Sequence, residues 1–308
     1  MDFDVLGLGV STVDLLTLVD HFPSQEGIQR ALDLSLQGGG PVATALVALA
    51  RLGARVGMID VVGDDWRGRV ILEEYAREGV SSTHVRQLPR MTSALACVLV
   101  RRADGQRSIV WYPGSVPELG PADLVEVPLE RTPLLHLNGR HFGACLEAAA
   151  RVRRAGGRVS FDGGADRFRP ELRRLVPLTD ICIVARDFAE EYTGQPAPAQ
   201  AAEALRAEGP AVIVITDGMS GSWIRPPGGG LLHQPAYRVP ITDTTGCGDC
   251  YHGAFLFGLS RGWGLDEAAR LASAAAALNA QSLGGRRGLP TLAEVQAFLA
   301  TDPAIVLL

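Results

Sequence analysis

The chain has 308 residues, 47% of them hydrophobic and 20% charged, which is the balance of a soluble folded protein with ample length for a full core. A net charge of −5 offers no basic surface to nucleic acid or an anionic membrane, and no apolar run reaches the ~18 residues of a membrane span. All 29 basic residues are arginine, and the absence of lysine excludes a P-loop nucleotide site, protein-kinase chemistry with a strand lysine, and Schiff-base catalysis.

The acidic start, Met1 to Val5, has no basic stretch of the kind that opens a signal peptide. The five cysteines are odd in number and scattered, and only Cys247 and Cys250 form a C-x-x-C, with no second pair to complete a zinc site. A reducing cytoplasm is the expected location.

Val5 to Val10 is a short apolar run ending in glycines and reads as a buried first strand. Asp14 follows it, where a turn residue is the plain expectation. The segments 28–37 and 92–112 alternate in hydropathy, and Ala103-Asp104-Gly105 marks a hairpin between two strands of the second. Together they predict a small β-sheet, spanning about 12–37 and 92–113, set apart from the rest. Gly38-Gly39-Gly40-Pro41 opens a helix whose apolar face is Val42, Ala45, Leu46 and Leu49, with Gly53 at its end. Val56–Asp65 reads as a strand and turn, and 72–80 as a helix.

From 133 onward strand and helix alternate. Strands are predicted at 134–137, 159–161, 181–184 and 211–216. Helices are predicted near 144–155, 170–176, 187–193 and 198–208. A single domain with a doubly wound parallel α/β sheet follows, its ligands at the carboxyl ends of the strands. Asn138-Gly139-Arg140 falls at such an end. A loop at 216–222, a hairpin within 225–237 and a helix at 271–279 complete the body.

Asp243-Thr244-Thr245-Gly246-Cys247-Gly248-Asp249 carries the chemistry. Tyr251, Ala254, Phe255 and Leu259 follow at helical spacing, so Asp249 lies at or near a helix N-terminus. Free N–H groups there attract anions, and glycines let a phosphate reach them. A carboxylate in the same turn repels phosphate but is well placed to take a proton from a hydroxyl that attacks it. A bare G-x-G-D is equally a capped helix after a turn. The longer string, D-T-T-G-C-G-D-C-Y-H-G-A-F, resembles the C-terminal signature of the ribokinase-like (PfkB) carbohydrate kinases, D-T-x-G-A-G-D-x-F-x-G-A, and the likeness extends over about residues 4–292.

The resemblance implies a ribokinase-like fold with a β-sheet lid that also forms a homodimer interface. It implies an ATP-dependent kinase acting on a small-molecule sugar, with ATP and Mg²⁺ and no nucleic-acid or membrane partner. Asp249 would be the catalytic base, and Gly246, Cys247 and Gly248 the anion hole. Asp14, Gly39, Gly40, Thr44 (in the place of the family's Asn), Trp111 and Arg140 would line the acceptor pocket. Thr216, Gly218, Gly221, Ser222 and Ala272 would contact the nucleotide. Asp243, Thr245, Asn279, Ser282, Gly284 and Gly288 would hold a monovalent cation, K⁺. The family's N-x-x-E is absent: Ala185-Arg186-Asp187-Phe188 stands in its place, with Asp187 and Glu190 as partial substitutes. Gly38–Thr44 and 233–237 look most like the sulfofructose kinase branch, whose substrate is anionic. A nucleoside kinase of the same family and a non-catalytic ligand sensor on the same fold are the alternatives.

Overall fold

The computed structural model describes residues 3–306. In chain order its strands are β1 (Val5–Leu8), β2 (Thr12–Val19), β3 (Asp33–Gly39), β4 (Val56–Gly63), β5 (Val80–Leu88), β6 (Ala94–Arg101), β7 (Arg107–Tyr112), β8 (Leu134–Leu137), β9 (Arg158–Gly163), β10 (Ile181–Ala185), β11 (Val212–Thr216), β12 (Ser222–Arg225) and β13 (Leu232–Gln234). The helices are α1 (Pro41–Arg51), α2 (Trp66–Glu78), α3 (Phe142–Arg154), α4 (Arg186–Thr193), α5 (Pro198–Ala207), α6 (Cys247–Ser260), α7 (Leu265–Asn279) and α8 (Leu292–Ala300).

Nine strands form one sheet in the order β13-β12-β11-β10-β9-β8-β1-β4-β5. The run from β11 to β5 is parallel, and β12 and β13 add an antiparallel edge. Both faces are covered, so successive strand residues enter different cores. Val5, Met58, Ile183 and Val214 pack with α1, α6 and α7. Their neighbours Leu6, Ile59, Val184 and Ile213 pack with α3, α4 and α5.

The second sheet has the order β3-β2-β6-β7. β2 and β6 run parallel, and the outer pairs are antiparallel. A large mostly parallel sheet with a small sheet as lid is the arrangement that the resemblance implies. Asp14 sits within β2 rather than in a turn, because Thr12 to Val19 pairs continuously with both β3 and β6. The lid is rooted in the body by β3, which runs through Gly38-Gly39 into Pro41 at the first turn of α1.

The sequence-predicted helix near 170–176 is two 3-10 turns, Pro170–Arg174 and Val176–Leu178. Pro177 removes an N–H inside that stretch, so an α-helical ladder cannot continue through it. Pro198 starts α5, since a proline at the first helical position lacks only an N–H that has no partner there.

Candidate active site

Helix α6 is buried on every side from Cys250 to Leu259, between α1, α7 and the sheet. Each large apolar side chain so buried, such as Phe255, contributes roughly 1.5–3 kcal/mol, and the helix start is held correspondingly firmly. Gly246 caps it in the left-handed region, at φ 70°. A Cβ there would lie 2.5 Å from the Cα of Gly285, so only glycine fits the turn. Cys247 N–H turns back to Thr244 O at 3.3 Å. Among the described residues, the N–H groups of Gly248 and Asp249 have no backbone acceptor. They are left open where an anion hole is expected, while the Cys247 N–H is taken up in the turn.

Asp249 is half-buried in the first turn of α6. Burial raises its pKa, and the carboxylate of Asp162 raises it further, against the opposing pull of Arg167, His252 and Arg107. Asp14 is also raised, by burial first, with Asp249 adding to the effect and Thr12 and Arg286 opposing it. The two carboxylates therefore sense each other across the space between lid and body, although 235 positions separate them in the chain. Thr12 Oγ1 donates to Asp14 Oδ1 at 2.6 Å, and the Asp14 carboxylate fills the space a side chain on Gly39 would need.

Trp111 of the lid and Arg140, just past β8, also meet: the Arg140 guanidinium stands 5.0 Å from the indole centroid. Arg140 is half-buried, and burial, then Arg169 and Arg167, lowers its pKa. Three cations thus gather beyond the ends of β8 and β9, with Arg169 Nη2 donating to Gly139 O at 2.9 Å.

Thr44 sits differently from expectation. It is 2% exposed, and its Oγ1 accepts from Arg286 Nε at 3.1 Å, so its hydroxyl is already committed. Arg286 also donates to Gly39 O at 2.8 Å, and its own N–H donates to Gln37 Oε1 at 2.8 Å. This buried arginine ties the root of the lid to the loop behind Gly246.

On the nucleotide side, Gly218 and Gly221 have positive φ in the turn between β11 and β12. Ser222 lies in β12 rather than the loop, 1% exposed, its hydroxyl sharing a 2.8 Å hydrogen bond with Tyr251. Thr216 Oγ1 donates to Val184 O at 3.4 Å. Ala272 is wholly buried in the core, because its face of α7 packs into the body; the half-buried positions of that stretch are Ala276 and Leu278.

The residues read as a cation site do come together. Asp243 is fully buried, with Oδ1 accepting from Thr245 N and Oγ1 at 2.8 and 2.7 Å and Oδ2 from Gly284 N at 2.8 Å. Asn279 Nδ2 lies 3.4 Å from both Thr245 O and Gly285 O, and its Oδ1 is buried with no partner. Gly288 is packed against Asn279 and Ser282. An acceptor with nothing to accept suits a cation, although both Asp243 oxygens are engaged by donors.

In the place of the missing N-x-x-E, Arg186 pairs with Asp217 at 3.0 Å, and Asp187 Oδ2 accepts from Asp166 N at 2.8 Å. Glu190 is exposed. Sequence reasoning overlooked Asp162, Arg167 and Arg107. Arg107 Nη1 donates from the lid to Thr244 Oγ1 at 3.0 Å, beside the anion hole. The Asp162-Gly163-Gly164 run at the carboxyl end of β9 was the available signal for the first two.

Comparison with known proteins agrees with this geometry. The chain is 33% identical over 284 residues to the aminoimidazole riboside kinase of Salmonella typhimurium, covering 85% of this chain and 88% of that one. It is 26% identical over 280 residues to the ketohexokinase of Mus musculus, covering 86% and 92%. The structure of Arabidopsis thaliana ribokinase complexed with ribose and ATP superposes with a TM-score of 0.83 at 25% identity, over 97% of this chain and 99% of that one. The family model for pfkB family carbohydrate kinases matches residues 4–292, and with the glycine-flanked Asp249 at its helix start the chain belongs to that family of kinases.

Proposed function

We propose that this carbohydrate kinase transfers the γ-phosphoryl group of ATP to a hydroxymethyl group of a small sugar, with Asp249 as general base. The observation that carries the reading is the joint placement of Asp249 beside the open N–H groups of α6 and within electrostatic reach of Asp14. Asp14 and the Gly39 backbone would hold the acceptor's hydroxyls. Asp249 would accept the proton of the hydroxyl as it attacks, and its raised pKa suits that task better than an ordinary carboxylate's would. The N–H groups of Gly248 and Asp249 and the Arg107 guanidinium would face the charge on the transferred group. A chain without lysine leaves arginine and backbone to do this work.

ATP would lie against the glycine turns at 218–221 and 246–248, where Gly218 and Gly248 face open space, and would supply the electrophilic phosphorus. Magnesium would be carried largely by phosphate and water oxygens, since Asp187 is occupied and Glu190 is exposed. Potassium would order the anion hole from behind, through Asn279 Oδ1 and the carbonyls of the 284–288 loop. The protein would work as a cytoplasmic homodimer joined through the lid.

The cluster of Arg140, Arg167 and Arg169 favours an acidic tail on the sugar, as in the sulfofructose kinase branch. A second reading, a riboside as acceptor, has its support in the 33% identity to a riboside kinase. The test is kcat/KM with ATP for fructose, ribose, a keto-deoxy sugar acid, sulfofructose and adenosine, repeated with Arg140→Ala. We expect the variant to lose about 2 kcal/mol or more on acidic acceptors and little on neutral ones. An equal loss on both makes Arg140 structural, preference for adenosine selects the riboside reading, and binding of ATP and acceptor without turnover would overturn the kinase assignment for this site.

A further inference from the structure

Beneath the start of α6 the two-sided sheet contains a polar spot whose two histidines the proposed phosphoryl transfer does not use. Strand alternation explains how it arises. Leu135, Leu137 and Phe161 point into the core under α3, so their neighbours His136, Ser160 and Asp162 must point to the opposite face, under α6. There they meet His252, one helical turn beyond Asp249. His136, Asp162 and His252 are 0%, 3% and 3% exposed, and one potential ligand atom from each lies within 4.8 Å of the others.

Each of the three also has a buried atom with no hydrogen-bond partner: His136 Nε2, Asp162 Oδ2 and His252 Nδ1. Three such atoms in contiguous side chains are unusual, because buried polar groups nearly always find partners. The contacts that are made leave the cluster open. His136 Nδ1 lies 3.2 Å from Ser160 Oγ, which orients the ring with Nε2 free. His252 Nε2 stands 4.0 Å from Asp162 Oδ1, beyond hydrogen-bond range. The imidazole rings are 5.6 Å apart and tilted by 57°. Arg167 is the nearby cation: it acts on Asp162 at a distance, is exposed, and makes no hydrogen bond to it among the described residues.

We propose that His136, Asp162 and His252 form a binding site for a first-row divalent transition-metal ion of the zinc type, separate from any magnesium that accompanies the nucleotide. Two imidazoles and one carboxylate are a donor set for zinc, whereas magnesium takes oxygen ligands and keeps its waters. Burial holds both imidazoles neutral, with pKa values pulled down to about 3 for His136 and about 4 for His252, so both rings have a lone pair for a metal near pH 7. Ligands bound to zinc at about 2.0–2.1 Å stand roughly 3.3 Å apart at tetrahedral angles, so modest side-chain rotation closes the cluster around an ion. The site would pin α6 to β8 and β9 one turn behind the catalytic carboxylate.

The test uses the full-length protein, stripped with a chelator and titrated with Co²⁺ followed by competing Zn²⁺, without nucleotide. We expect one Co²⁺ per chain with visible ligand-field absorption, its displacement by Zn²⁺, a higher thermal midpoint in the metal-loaded protein, and at least tenfold weaker binding in His136→Gln and His252→Gln. The Cys247→Ala/Cys250→Ala variant should bind as tightly as wild type. No stoichiometric uptake by the wild-type protein overturns the proposal whatever the folding of the variants, and would leave ordered water as the partner of the three orphaned atoms. Uptake that disappears with the cysteines, or persists unchanged in both histidine variants, also overturns it.

Discussion

Asp249 bears two opposed demands. It would have to be ionised to act as the proposed base, yet it sits where burial and the Asp162 carboxylate disfavour its charge. A carboxyl whose pKa is raised on folding binds its proton more tightly in the folded state. Stability is therefore greatest where the group is protonated and falls as pH rises from the ordinary carboxylate value through the raised one. Asp249→Asn carries no such charge. We expect its thermal midpoint at neutral pH to exceed that of the wild-type protein, with the gap narrowing as pH falls toward the usual carboxylate range. An unchanged or lower midpoint at neutral pH would show that the charge is well solvated. Asp249 and the glycines before it were legible in the sequence because one contiguous string marks them, and Asp14 only through the family resemblance. Asp162, Arg107 and Arg286 were not. The glycines beside Asp162 and Arg286 mark turns but not partners, and the role of each residue exists only after the sheet and lid have formed. The commitment of Thr44 to Arg286 was hidden for the same reason, since 242 positions separate the partners.

At the scale of elements, the loop behind α6 is held by Asp243, Thr245, Gly284 and Asn279, and Asn279 Oδ1 waits unpartnered beside it. If K⁺ completes that loop, phosphoryl transfer should run several-fold faster in potassium chloride than in tetramethylammonium chloride at equal ionic strength. Identical rates in both salts would remove the cation from this loop. The apolar strands and the long helices of the body were readable from periodicity, because burial on one or both sides imprints a pattern on them. β5 was not read: its residues are half-buried or exposed beyond Val80, so little alternation survives at the sheet edge. α8 also escaped, though its capping box, Thr291 with Glu294, was a local signal for its start. β2 was obscured by Asp14, a polar residue inside an otherwise apolar strand.

At the scale of the molecule, the lid has one face over the cleft and another turned outward. All six residues of β7 are exposed, and Leu34, Leu36 and Val110, which the strand register places on one face, are at least half exposed. An apolar face of this kind, reaching from β3 at one edge of the lid to β7 at the other, suits a second copy of the chain. We expect the wild-type protein to run as a dimer in light scattering, and Leu34→Glu/Val110→Glu to run as a monomer; a monomeric wild type would contradict lid-mediated pairing. The site itself gathers segments from both ends of the chain, Asp14 and Gly39 from the lid and its root and Asp249 from α6, where one carboxylate acts on the other. The turnover of Asp249→Asn, measured with ATP and the best acceptor for the wild-type protein, tests that convergence most directly. We expect kcat to fall by ~10²–10⁴, the usual range for loss of a general base, with ATP affinity hardly changed; turnover near the wild-type rate would contradict it.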